Sequence, residues 1–97
     1  MCRKMASSKE AFEKFRMWKN SRTVLKLTVL TNGGTPDIFM GRVAAVDEDS
    51  WQVSFAVSKD RSYRVITFVG ASFLLGGRRL EAERSEEGNF LMCEEIG

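Results

Sequence analysis

Apolar and polar positions alternate most clearly between Phe39 and Val57, FMGRVAAVDEDSWQVSFAV, where two apolar runs flank an acidic turn at Asp47-Glu48-Asp49-Ser50. After the turn, Trp51, Val53, Phe55 and Val57 fall on one face, and Gln52, Ser54, Ala56 and Ser58 on the other. A period of two over eight residues predicts a half-buried strand. Gly41, isolated in the first run, predicts a bulge or sharp bend. The stretch reads as a bent β-hairpin with further strands on both sides.

Upstream the period changes. Ala11, Phe12, Phe15 and Trp18 recur at helical spacing, and Ser7-Ser8-Lys9-Glu10 before them fits a capping box. Asn20 and Ser21 close the segment. The pattern predicts an amphipathic helix over 7–20, behind a frayed lead over 1–6. Its stripe is expected to cover an open end or face of the sheet. Thr23–Thr31 (TVLKLTVLT) is rich in β-branched residues and predicts a first strand, with Leu25, Leu27 and Val29 on one face. Asn32–Asp37 connects it to a second strand, Ile38–Asp47. The Gly33-Gly34 pair in that connection lacks the lysine and following helix of a phosphate loop, so it reads as a turn.

Trp51–Val57 is the third predicted strand, Ser58–Ser62 a polar turn, Tyr63–Val69 the fourth strand and Phe73–Leu75 a short fifth. Beyond the Gly76-Gly77 hinge, Arg78–Arg84 and Phe90–Cys93 flank a turn at Ser85–Asn89. They suggest an extra hairpin packed on the barrel or on a neighbouring subunit. Sequential strands, short turns and a leading helix predict a mainly β fold. Its parts are an N-terminal helix, a small, strongly bent five-stranded antiparallel barrel over 23–75 and an extension over 76–97, all within one domain of 97 residues.

Composition narrows the chemistry. The chain has no histidine and two cysteines, Cys2 and Cys93. That removes Ser-His and Cys-His nucleophile pairs and a zinc site of the usual ligand type within one protomer, and it predicts two free thiols. No paired catalytic carboxylates stand in a motif, so the chain reads as a non-enzyme without cofactor or metal. The acidic turn reads as solvated. The opening MCRKMASSKE carries basic residues without an apolar run after them, and no stretch is long enough to span a bilayer. The expectation is a cytoplasmic protein with no membrane partner.

The net charge of +2 is unevenly spread. Residues 1–26 carry eight Lys/Arg against Glu10 and Glu13, whereas residues 80–97 carry six glutamates against Arg84. A basic front end can face phosphate, or the acidic tail of the same or a neighbouring protomer.

The order of helix, bent strand pair, short turn, strand, glycine and short strand over Phe12–Leu75 resembles the Sm-like family, including the bacterial Sm-like RNA chaperone. Gly41, Val43, Val46-Asp47 and Trp51–Phe55 match its first motif in spacing. Tyr63–Val69, Gly70 and Phe73–Leu75 match its second. The resemblance implies an SH3-like, Sm-like barrel whose protomers join into a homo-oligomeric ring through the edges of the fourth and fifth strands. It also implies a base-binding pocket that includes Asp47 and Gly70. Three positions depart from that pocket: Asp49 stands where the family stacks a side chain on the base, Trp51 where many members place an asparagine, and Val69 where an arginine precedes the glycine.

The function expected from the resemblance is single-stranded RNA binding with a non-standard pocket. Trp51 is a candidate for stacking on a base, and Arg42, Arg64, Arg78 and Arg79 are candidates for phosphate contacts. Lys14, Arg16 and Lys19 on the helix offer further cations. The alternative is a protein-interaction scaffold on the same fold, with no RNA partner.

Overall fold

The computed structural model describes residues 4–30, 34–84 and 88–96, without the side chains of Lys4 and Asn89. Residues 31–33, which hold the end of the first predicted strand and the start of the connection after it, and residues 85–87 of the later predicted turn lie outside the described residues, as does Cys2.

The capping box forms as its sequence requires. Ser7 Oγ accepts from the Glu10 N–H at 3.2 Å, and Glu10 Oε1 accepts from the Ser7 N–H at 3.1 Å. From there α1 runs over Ser8–Ser21 with Ala11, Phe12, Phe15 and Trp18 buried. It ends at Arg22, which takes the left-handed conformation (φ 54) while the Thr23 N–H donates to the Trp18 carbonyl at 3.1 Å. This reversal feeds the chain directly into the sheet.

Eight strands follow one another in a single antiparallel sheet: β1 (Lys4–Ala6), β2 (Leu25–Val29), β3 (Asp37–Asp47), β4 (Gln52–Val57), β5 (Tyr63–Thr67), β6 (Ser72–Leu75), β7 (Arg79–Arg84) and β8 (Gly88–Glu95). Their spatial order is β1-β6-β7-β8-β2-β3-β4-β5. The fold is mainly β with one helix near the N-terminus, as expected, but the sheet is an open one of eight strands instead of a five-stranded barrel. The cause is the C-terminal hairpin. It does not pack on a finished barrel. It inserts between the fifth predicted strand and the first, with Leu75 opposite Leu80 on one side and Leu27 opposite Cys93 on the other. The end of the expected lead is also ordered, because Lys4–Ala6 pairs with β6, Met5 opposite Leu74.

The bend of β3 differs in detail from the prediction. The register with β4 slips between Val43 and Ala45, so the extra residue is Ala44 and not Gly41. Gly41 has a different role. A Cβ there would lie 2.4 Å from the Ala56 carbonyl oxygen, so the two strands approach too closely for any side chain.

The core is aromatic. Phe12, Phe15 and Trp18 of α1 are buried in one cluster with Phe55, Phe68, Phe73 and Phe90. Phe15 lies edge-on to Phe55 (6.0 Å, 76°) and to Trp18 (6.0 Å, 65°), and Phe12 edge-on to Phe68 (6.2 Å, 86°). These are the offsets that the ring quadrupole favours. Arg84 ties the end of β5 to β7: its Nη2 donates to the Thr67 carbonyl at 2.5 Å and its Nε to that of Val69 at 3.2 Å. Its guanidinium also lies 3.9 Å from the centre of the Phe90 ring. The helix stripe thus covers the sheet as expected. Among the described residues no helix is long and apolar enough to cross a membrane.

Candidate nucleic-acid interface

The two ends of α1 carry opposite electrostatics. Along its first nine residues, Ser8, Phe12 and Arg16 line a hollow of about 710 Å³ with Val46, Trp51 and the turn carboxylates Asp47, Glu48 and Asp49. Asp47 ends β3 and holds the turn, accepting from the Ser50 N–H at 3.3 Å. Hydrogen bonding from the Ser50 side chain, then from its backbone, lowers the Asp47 pKa below the ordinary carboxylate value. Arg16 is taken up by an ion pair with Glu48.

Trp51 does not begin the strand. It sits in the turn with a positive φ of 59, 38% exposed, and lies edge-on to Phe12 at 5.9 Å. The covered side of its ring packs on Phe12. The hollow it lines also carries three carboxylates, which repel a phosphate chain. Gly70, with φ 75, serves the tight connection between β5 and β6, where the Ala71 N–H donates to the Phe68 carbonyl at 3.0 Å. It does not line the hollow that holds Asp47 and Trp51.

Three of the four candidate arginines are engaged within the chain. Arg64 pairs with Asp37 and covers the Phe39 ring at 5.0 Å. Arg78 lies 3.6 Å from Glu95, and Arg79 lies 3.6 Å from Glu94 with its Nη2 also 3.1 Å from Met92 Sδ. The sequence candidates are therefore scattered: Asp47 and Trp51 in one hollow, Gly70 in a connection, Arg64 near the start of β3, Arg78 and Arg79 beside β8.

Arg42 belongs elsewhere. It points from the outer face of β3, because its neighbours Gly41 and Val43 face inward. There it lines a cleft of about 480 Å³ with Lys19, Asn20 and Arg22 from the end of α1 and with Val43, Ala44 and Ala56. The left-handed turn at Arg22 and the bulge at Ala44 bring these two segments together. A second hollow of about 410 Å³ shares Arg42 and Ala56 and continues through Val57, Ser58, Arg61 and Tyr63. The two form one groove carrying Lys19, Arg22, Arg42 and Arg61, and neither lining includes a carboxylate. None of the four side chains has an ion-pair partner among the described residues. Lys19 also offsets the partial negative charge of the helix C-terminus, which otherwise opposes an anion there.

Arg22, Arg61 and Tyr63 were absent from the sequence-derived candidates. Parity carried a usable signal for Tyr63: Arg64, Ile66 and Phe68 face inward or are half-covered, so Tyr63, Val65 and Thr67 face out. Arg22 and Arg61 both sit at turns with positive φ (54 and 59), and no periodic pattern reaches them. Among the described residues no group of three or more His, Cys, Asp or Glu side chains is placed to hold a metal ion.

No family model, curated protein or solved structure matches the chain.

Proposed function

We propose that this protein binds nucleic acid, single-stranded RNA in particular, along the groove that runs from Lys19 through Arg42 to Arg61. The supporting observation is the groove itself: four cations without carboxylate partners among the described residues share a concave surface whose lining includes no Asp or Glu. Elsewhere on the surface Lys14, Arg16, Arg64, Arg78 and Arg79 are matched by Glu95, Glu48, Asp37 and Glu94. The site is displaced from the pocket with Asp47 and Gly70 that the Sm-like resemblance implies, and lies at the other end of the helix from Asp47.

Anisotropy titration of labelled oligo(U), oligo(A), mixed RNA and single-stranded DNA tests the reading. Four phosphate contacts to a single strand give a slope of log K against log salt of about −3, or about 50-fold weaker binding between 50 and 200 mM salt. Arg42→Glu is expected to weaken binding of every sequence and make the slope shallower by at least ~1. No binding at 50 mM salt sinks the reading.

One observation favours the scaffold alternative. β5 is the last strand of the sheet, and Tyr63 and Val65 on it are 67% and 60% exposed. Arg84 caps the Thr67 end of this edge, and the stretch before it has no second strand partner among the described residues and can accept another strand. The ring edge implied by the resemblance is not free on both sides, because β6 is paired with β1 and with β7. Self-assembly by strand pairing would use β5 or β1, the two ends of the sheet. A solution mass several times the 11.0 kDa chain supports assembly, and a strict monomer overturns it.

A further inference from the structure

Tyr63, Ala56 and Arg42 stand opposite one another on three adjacent strands, Tyr63 facing Ala56 across β5–β4 and Ala56 facing Arg42 across β4–β3. Register partners share a face, so the three side chains form one row on the outer surface of the sheet. The row spans about 10 Å between its outer Cα atoms, from two strand spacings. Its middle residue is small. The row is therefore a trough with an aromatic wall on one side, a guanidinium on the other and a methyl floor. Tyr63 makes no ring contact with any described aromatic residue, and at 67% it is the most exposed large hydrophobic side chain among the described residues. An aromatic ring left this open on a basic groove contributes little to the core and offers a flat face to a ligand.

We infer that Tyr63 is a base-stacking residue: one unpaired base of a single strand lies on its ring over Ala56, while Arg42 holds the adjoining phosphate. The inference rests on the reading of the groove as a nucleic-acid site and adds to it a preference for unpaired bases. A duplex presents its bases stacked on each other, with no free face for Tyr63, so only its phosphates can contact the groove. Stacking also tolerates any base, and the trough carries no hydrogen-bond code for one.

The test compares two labelled decamers at 50 mM salt: oligo(A), and an abasic ribose-phosphate strand of equal length and charge. The full chain is expected to bind oligo(A) about five- to 150-fold more tightly than the abasic strand, the range that one stacked base supplies. Tyr63→Ala should remove that difference and leave the abasic strand unaffected, whereas Tyr63→Phe should keep it. Ala56→Leu, which fills the floor without changing charge, should weaken oligo(A) more than the abasic strand. Equal affinity of the unmodified protein for both decamers, or a difference that survives Tyr63→Ala, overturns the stacking assignment while the groove reading stands. Failure to bind either decamer overturns both.

Discussion

Trp18 and Glu95 lie 77 residues apart and share a hydrogen bond: the indole Nε1 donates to Glu95 Oε2 at 2.9 Å. Lys14 adds an ion pair to the same carboxylate at 3.7 Å, and Arg78 another at 3.6 Å. Glu95 thus anchors the end of β8 to the face of α1, and the acidic tail does meet the basic helix of its own chain. It satisfies the one polar atom of a fully buried tryptophan.

The Trp18 N–H, then the charges of Lys14 and Arg78, hold the Glu95 pKa below its ordinary 4.5. A depressed carboxylate contributes stability above its unfolded pKa and loses it as pH falls through the folded one. Glu95→Gln is therefore expected to lower stability at pH 7, by about 1–3 kcal/mol for a charged hydrogen bond. The gap to the unmodified protein should close as pH falls below 4.5. Urea unfolding of both proteins at pH 7 and pH 3 measures it. Asp47 and Asp60 also have lowered pKa values, but they are common to both proteins and cancel in the comparison.

Gly41 gives a second test. Alanine there puts a methyl group 2.4 Å from the Ala56 carbonyl oxygen, which is backbone and cannot rotate away. Gly41→Ala should cost about 1–3 kcal/mol by overpacking. Gly77→Ala meets nothing within 4 Å and should be near neutral. Equal stability of the two variants in thermal unfolding would contradict the close approach of β3 and β4.

Phe15 contacts Phe12, Trp18, Phe55 and Phe68 from the middle of the helix stripe. Phe15→Ala should cost about 3–5 kcal/mol. Met17, exposed on the same helix, should tolerate alanine at less than ~0.5 kcal/mol. A Phe15 cost as small as that at Met17 would mean that the stripe does not seal the core.

Cys93 is fully buried and free, and burial pushes its thiol pKa well up. The native protein should leave Cys93 unmodified by iodoacetamide, and unfolding in urea should expose it. Peptide mass mapping reads the position directly, and rapid labelling under native conditions would contradict the packing of β8 against β2.

Local patterns were legible in the sequence, and long-range pairing was not. Ser7, Glu10 and the Phe12–Phe15–Trp18 spacing place the helix to within a residue, because capping and period are written in neighbouring side chains. The alternation at Val53, Phe55 and Val57 likewise gives β4. The partner of the fifth predicted strand was hidden. Leu75 pairs with Leu80, so the Gly76-Gly77 hinge begins a tight return into the sheet, and no local signal shows that Leu27 prefers Cys93 as its other neighbour. The same limit applied to the site. Arg42 was among the candidate phosphate contacts, but Lys19, Arg22, Arg61 and Tyr63 join it only through the helix end, the bulge at Ala44 and cross-strand register.

The most direct measurement is a backbone amide NMR titration of the 97-residue chain with a short single-stranded RNA. The groove predicts that shifts concentrate at Lys19–Arg22, Arg42–Ala44, Ala56 and Arg61–Tyr63, with the acidic turn at Asp47–Trp51 unmoved. Shifts centred on Asp47–Trp51, or a spectrum unchanged by RNA at low salt, would contradict it.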